Sequence, residues 1–249
     1  MDYFSILFSE EGIFYLVFLT LLEIVLGIDN IIFISIVTDK LPREKKRFAR
    51  NVGLTLALVV RLMLLSAVSY IMGMTKPLFE VLNHEITGQS LVLLAGGLFL
   101  IYKSTIEMYT SVKGSEHGAT KTKQKMSAII LQIVLIDIVF SFDSIITAIG
   151  MTNEIRQDLH KDPMVIIFGA VIISMLIMLL FAKPISEFIN NRPTIKMLAL
   201  AFLITIGVLL VAESFGQHIP KGYVYFAMVF ALLVEFLNIK MRRNKGEGE

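Results

Sequence analysis

Long apolar runs separated by short polar clusters set the pattern of this chain. A helix that crosses a bilayer needs about 20 predominantly apolar residues. Seven stretches qualify, at roughly 12–37, 51–75, 90–110, 127–150, 163–186, 195–215 and 222–239. Little is left over for a soluble domain. The pattern therefore predicts an all-α, polytopic membrane protein: a single transmembrane domain over residues 1–249 with seven transmembrane helices.

Composition agrees, with 55% hydrophobic and 18% charged residues, well outside the balance of soluble domains. No cysteine is present, which excludes a disulfide framework, a thiolate metal site and a cysteine nucleophile. The stretch from Met1 to Glu11 carries acids and no Lys or Arg. A secretory signal starts with basic residues, so the first apolar segment is expected to be retained. Basic residues are segregated between alternate loops, with eighteen on one set, four on the other (Lys76, Arg156, Lys161 and Lys221), and Arg61 inside a span. By the positive-inside rule the N-terminus is expected outside and the C-terminus in the cytoplasm, in a multi-pass protein of the inner (cytoplasmic) cell membrane. The basic clusters at Arg43 to Arg50 and Lys121 to Lys125 read as orientation signals and lipid-headgroup contacts. Nothing reads as nucleic-acid binding.

The chain repeats itself. EIVLGIDNIIF from Glu23 aligns without gaps on DIVFSFDSIIT from Asp137, pairing Glu23 with Asp137, Gly27 with Ser141, Asp29 with Asp143 and Asn30 with Ser144. Apolar matches are cheap in membrane helices, so the weight rests on two acids recurring at one spacing. A second match sets TKPLFEVLN from Thr75 against AKPISEFIN from Ala182. Each repeat holds three spans, and an odd number forces the second copy to enter the membrane the other way up. The expected architecture is two inverted three-helix repeats, about 12–112 and 127–218, joined by a cytoplasmic linker at 113–126 and followed by an extra C-terminal helix at about 222–239. Transporters built this way bind their cargo near the bilayer midplane, where equivalent helices of the two halves meet.

The repeated acids are the candidate chemistry. A carboxylate at the centre of a spanning helix costs about 2.5–3.5 kcal/mol on insertion scales, so Glu23, Asp29, Asp137 and Asp143 need something cationic to face. Arg61 is one guanidinium against four acids, which leaves room for a metal ion. Arg61 itself reads either as a fixed structural salt bridge or as a competitor that helps to release the ion. Glu23 and Asn30 share a helix face, whereas Glu23 and Asp29 stand some 120° apart at about 100° per residue. Gly27 and Ser141 are therefore candidate bends, where unwinding would expose backbone carbonyls. The alternative is that Gly27 only permits close packing. Glu23, Asp29, Asn30, Asp137, Asp143 and Ser144 form an all-oxygen set that suits hard cations such as Mn²⁺, Ca²⁺ or Mg²⁺. His84, His117, His160 and His218 all fall in predicted loops, and Met63, Met72, Met175 and Met178 read as gap-fillers. Glu107, Glu213 and Glu235 lie near span ends and stand outside the primary site.

On these residues the chain resembles the TerC family of integral membrane proteins. The match is carried by EIVLGIDN at Glu23 to Asn30 and DIVFSFDS at Asp137 to Ser144, with Arg61 in the second span and ITIGVLLVAESFG from Ile204 to Gly216. The family was named for an association with tellurite resistance, and some members are regarded as manganese exporters. The resemblance implies export of Mn²⁺ as cargo, with Glu23, Asp29, Asn30, Asp137, Asp143 and Ser144 at the motif positions. The expectation is a secondary transporter working by alternating access, without a cofactor and without enzymatic activity. Its partners are the cation, the lipid bilayer, and either a second copy of itself or a protein-export machine. Two other classes compete. One is a non-transporting membrane partner whose acids hold a structural ion, and the other is an intramembrane aspartyl protease with a proton-sharing dyad.

Overall fold

The computed structural model describes residues 9–67, 77–81, 84–113, 125–158, 164–217 and 219–244. Its helices are α1 (Glu10–Thr38), α2 (Arg43–Ser66), α3 (Gly88–Lys113), α4 (Met126–Asp158), α5 (Met164–Asn190), α6 (Pro193–Ser214) and α7 (Lys221–Asn244). Among the described residues, seven helices are long and apolar enough to cross a membrane, as the apolar runs predict. The expected linker is outside the described residues from 114 to 124.

Local signals place the ends. Ser9 caps α1 by accepting a hydrogen bond from the Gly12 amide at 3.1 Å, and Glu10 and Glu11 complement the positive end of the helix. The short turn after Thr38 is held by an ion pair between Lys46 and Asp39. Pro42 then precedes α2, whose first turns are polar; the helix begins well before the apolar run at 51. Pro193 opens α6, where its missing N–H costs nothing.

An antiparallel hairpin of β1 (Pro77–Val81) and β2 (His84–Thr87) follows α2 in the chain and precedes α3, a short sheet in a fold that is otherwise helical among the described residues. It separates the members of the second sequence match. Pro77 starts a strand, whereas its counterpart Pro184 lies inside α5. A proline is tolerated in a spanning helix where neighbours satisfy the freed carbonyl.

The chain forms two compact units, Met1–Lys76 with Lys121–Glu187, and Pro77–Thr120 with Phe188–Glu249. In the first, α4 packs on α2 and α1. A stripe of Arg50, Gly53, Leu54, Ala57, Arg61 and Leu65 forms the buried face of α2, and Gly53 lets Ile133 of α4 come close. The outward face of α1 is apolar, with Phe14, Val17, Leu21 and Val25 exposed as lipid contact requires. In the second unit α3 packs along α6, and α7 joins α6. Gly97 and Gly207 meet there backbone to backbone: a Cβ on Gly97 would stand 2.7 Å from the Gly207 carbonyl oxygen. This is the small-residue contact by which membrane helices approach closely.

The bends expected at Gly27 and Ser141 do not occur. Both residues lie inside continuous helix, in α1 and α4. Gly27 serves packing instead, since a Cβ there would meet the sulfur of Met178 on α5 at 2.5 Å. No unwinding is needed to bury both Glu23 and Asp29, because α1 is buried on every side from Asp29 to Thr38.

The two kinds of glycine contact should respond differently to alanine. Gly97→Ala drives a methyl into a backbone carbonyl and should cost about 1–3 kcal/mol. Gly27→Ala displaces only a flexible Met side chain, and a helix-propensity gain of about 1 kcal/mol offsets much of that. Thermal unfolding of the purified protein in detergent should show a clear drop for Gly97→Ala and little change for Gly27→Ala.

Candidate functional site

The middle of the first unit holds a cluster of charged and polar side chains contributed by α1, α2 and α4. Arg61, 2% exposed, projects from the buried stripe of α2. Its Nη1 donates to Glu23 Oε2 of α1 at 2.6 Å, and its Nη2 donates to Asp137 Oδ1 of α4 at 3.3 Å. The third edge of the guanidinium, Nε, donates to Ser141 Oγ at 2.8 Å. Ser141 in turn donates to Asp137 Oδ2 at 3.1 Å, one helical turn away on α4. From α1, Asn30 Nδ2 donates to the same Asp137 Oδ1 at 3.0 Å. One guanidinium and one amide thus tie both repeated motifs together.

The sequence places these groups for simple reasons. Glu23 and Asn30 lie two turns apart on one face of α1, where Glu23 meets Arg61 of α2 and Asn30 meets Asp137 of α4. Asp137 and Ser141 are four apart on α4 and share a face likewise. Arg61 reaches both helices because a planar guanidinium offers donors in a fixed fork, which a lysine ammonium does not.

Each expected site residue can now be located. Glu23, Asn30, Asp137, Ser141 and Arg61 come together. Asp29 is buried further along α1. Ser144 is buried on α4, its hydroxyl turned to the Ser141 carbonyl at 3.3 Å. Asp143 is also on α4, but its side chain is outside the described residues. Among the described residues no three His, Cys, Asp or Glu side chains converge as a metal-binding group. Glu23 and Asp137 converge on a guanidinium instead. Ser141, expected as a bend, is a hydrogen-bonding hub. Met175 and Met178 are buried core and Met63 faces outward, as gap-fillers would. His84 begins β2, and His117, His160 and His218 are outside the described residues. Of the acids set aside, Glu107 is buried on α3 and Glu213 pairs with Lys221 at 3.6 Å.

Arg50 was missed. It belongs to the basic cluster assigned to lipid headgroups, yet it is 6% exposed. The signal was present, because Arg50 falls on the same helical stripe as Gly53, Leu54, Ala57 and Arg61.

Chemically, the cluster is a set of hard oxygen acceptors that carries more buried carboxylates than the guanidinium it surrounds. Opposite unit charges about 4 Å apart gain roughly 4 kcal/mol at an effective dielectric of 20. Such an arrangement, on helices that span a bilayer, marks an integral membrane protein with an intramembrane ionic site, the usual location of ion and substrate pathways.

Comparison with known proteins places the chain more narrowly. It belongs to the integral membrane protein TerC family, whose family model matches residues 8–247. It is 48% identical over 230 residues to a UPF0053 protein of Haemophilus influenzae, covering 92% of this chain and 93% of that one. It is 46% identical over 221 residues to the UPF0053 inner membrane protein YgdQ of Escherichia coli K12, covering 89% and 90%. A third relative, the UPF0053 inner membrane protein YoaE of the same strain, is 45% identical over 228 residues, which are 91% of this chain but 42% of YoaE. No solved structure matches.

Ser141 tests the integrity of the cluster without removing a charge. Ser141→Ala deletes one hydrogen bond to a guanidinium and one to a carboxylate, each worth about 1.5–3 kcal/mol when charged groups take part. The variant should unfold at a lower temperature in detergent than wild type, while Ser144→Ala, whose hydroxyl bonds only its own helix, should stay close to wild type.

Proposed function

We propose that this protein is a secondary transporter that exports a hard divalent cation, manganese foremost, through the carboxylate cluster of α1 and α4. The observation that carries the reading is the placement of two carboxylates, Glu23 and Asp137, both 2–3% exposed, around a single guanidinium on membrane-spanning helices, with Asp29 buried further along α1. Buried acids in such excess over their counter-ion attract a cation. The acceptors are all oxygen, with Asn30 beside them, which favours Mn²⁺, Ca²⁺ or Mg²⁺ over soft metals. Family membership points the same way. In this reading the repeats are inverted, the N-terminus lies outside the inner membrane, and alternating access turns on the two motif helices.

One observation favours a second reading. Glu23 and Asp137 are already joined by Arg61, and a permanent bridge of this kind suits a non-transporting partner of a membrane complex, such as a protein-export machine. Flux separates the two, because a fixed ionic cluster produces no turnover.

The experiment is Mn²⁺ efflux from loaded proteoliposomes. Asp137→Asn and Glu23→Gln, each close in shape to the native side chain, should reduce efflux by about tenfold or more, the scale of a lost charge contact. Efflux unchanged at equal protein levels would remove the site assignment, and no efflux from wild type would favour the non-transporting reading. Competition by Ca²⁺ and Mg²⁺ in the same assay ranks the cations.

A further inference from the structure

We propose that Arg61 is a tethered cation that exchanges with the cargo, guanidinium and divalent ion taking turns on the carboxylates of Glu23 and Asp137. The inference rests on the transporter reading and adds the device by which the site is closed and reopened.

Three features of the cluster lead to it. First, the oxygens best placed to ligate an ion are those the guanidinium holds, Glu23 Oε2 at 2.6 Å and Asp137 Oδ1 at 3.3 Å. Hard divalent ions sit about 2.0–2.6 Å from their oxygen ligands. An ion on these atoms would overlap the guanidinium nitrogens and repel their charge, so both cannot be present together. Second, the remaining contact of Arg61 is to a neutral hydroxyl, Ser141 Oγ, at 2.8 Å. That hydroxyl also bonds Asp137, so it can keep a partner when the guanidinium leaves. Third, Asn30 is 3% exposed and its amide nitrogen is satisfied by Asp137, but its Oδ1 is buried with no hydrogen-bond partner among the described residues. Orphaned buried acceptors are rare and call for an explanation. A guanidinium bridge alone does not use this oxygen. A cation shared by Glu23, Asp137 and Asn30 does.

The exchange has a thermodynamic signature. While Arg61 rests on the acids, only the fraction of molecules with the guanidinium displaced is competent to bind, and apparent affinity falls by that fraction. Weakening the tethered competitor must therefore tighten binding of the ion while slowing its release. A purely structural bridge predicts the reverse, since losing it would loosen the site.

The test is calorimetric titration of the purified full-length protein in detergent with Mn²⁺, for wild type, Arg61→Lys and Arg61→Gln, with efflux from proteoliposomes in parallel. Arg61→Gln should bind Mn²⁺ about tenfold or more tighter than wild type and turn over more slowly. Arg61→Lys keeps the positive charge that the buried acids need, so it remains decisive if Arg61→Gln does not fold. A compact ammonium cannot span both carboxylates, and its affinity should fall between the other two. Mn²⁺ affinity in both variants equal to or weaker than wild type would overturn the exchange and leave the transporter reading standing. Absence of saturable Mn²⁺ binding in wild type and Arg61→Lys alike would overturn the transporter reading, and the exchange with it.

Discussion

A guanidinium held between carboxylates of two different helices, away from water, governs the packing of the first unit. Burying any one of Glu23, Asp137 or Arg61 alone would carry a desolvation penalty that the marginal stability of a helical bundle could not absorb. Together they satisfy one another, and Ser141 and Asn30 fill two of the lone pairs that remain. The geometry this demands is narrow. Helix α2 must present Arg61 inward, α1 must present Glu23 and Asn30 on one face, and α4 must bring Asp137 and Ser141 opposite both. A small residue helps that approach, with Gly53 of α2 admitting Ile133 of α4, while Gly27 of α1 makes room for Met178 of α5.

Much of this was legible in the sequence because membrane helices are written in hydropathy. Seven apolar runs became seven spanning helices among the described residues, and each intramembrane charge stood out against its neighbours. The pairing of Arg61 with the repeated acids followed from charge alone. What did not follow was how the acids come to share an interior. A helical wheel assigns Glu23 and Asp29 to different faces and invites a break at Gly27. The helix stays intact because it has no outward face from Asp29 to Thr38, a property of the surrounding packing rather than of the local residues. Arg50 was misassigned for the converse reason, since its charged neighbours drew attention from the buried stripe it shares with Arg61. The hairpin at Pro77–Thr87 was hidden because its residues resemble those of Ala182–Asn190, where the same kind of sequence is helical.

The compact units cut across the sequence repeats in an orderly way. The first unit contains α1 with α4 and α2 with most of α5, while the second contains α3 with α6. The helices that carry the matched motifs, α1 and α4, thus share a unit. The aligned motifs, 114 residues apart in the chain, are thereby brought side by side, and an acid from one copy hydrogen-bonds an amide from the other.

The tight turn between Thr38 and Arg43 has a consequence for how the chain enters a membrane. A ribosome delivers α1 and α2 before α4, as a pair that already holds one acid and one base in contact. Glu23 and Arg61 can cancel each other inside that pair before α4 has been synthesised. Asp137 then arrives in lipid to find a guanidinium in place, with a donor to spare. The order of the three charges along the chain, acid, base, acid, leaves Arg61 no interval without a counter-ion and Asp137 a partner on arrival.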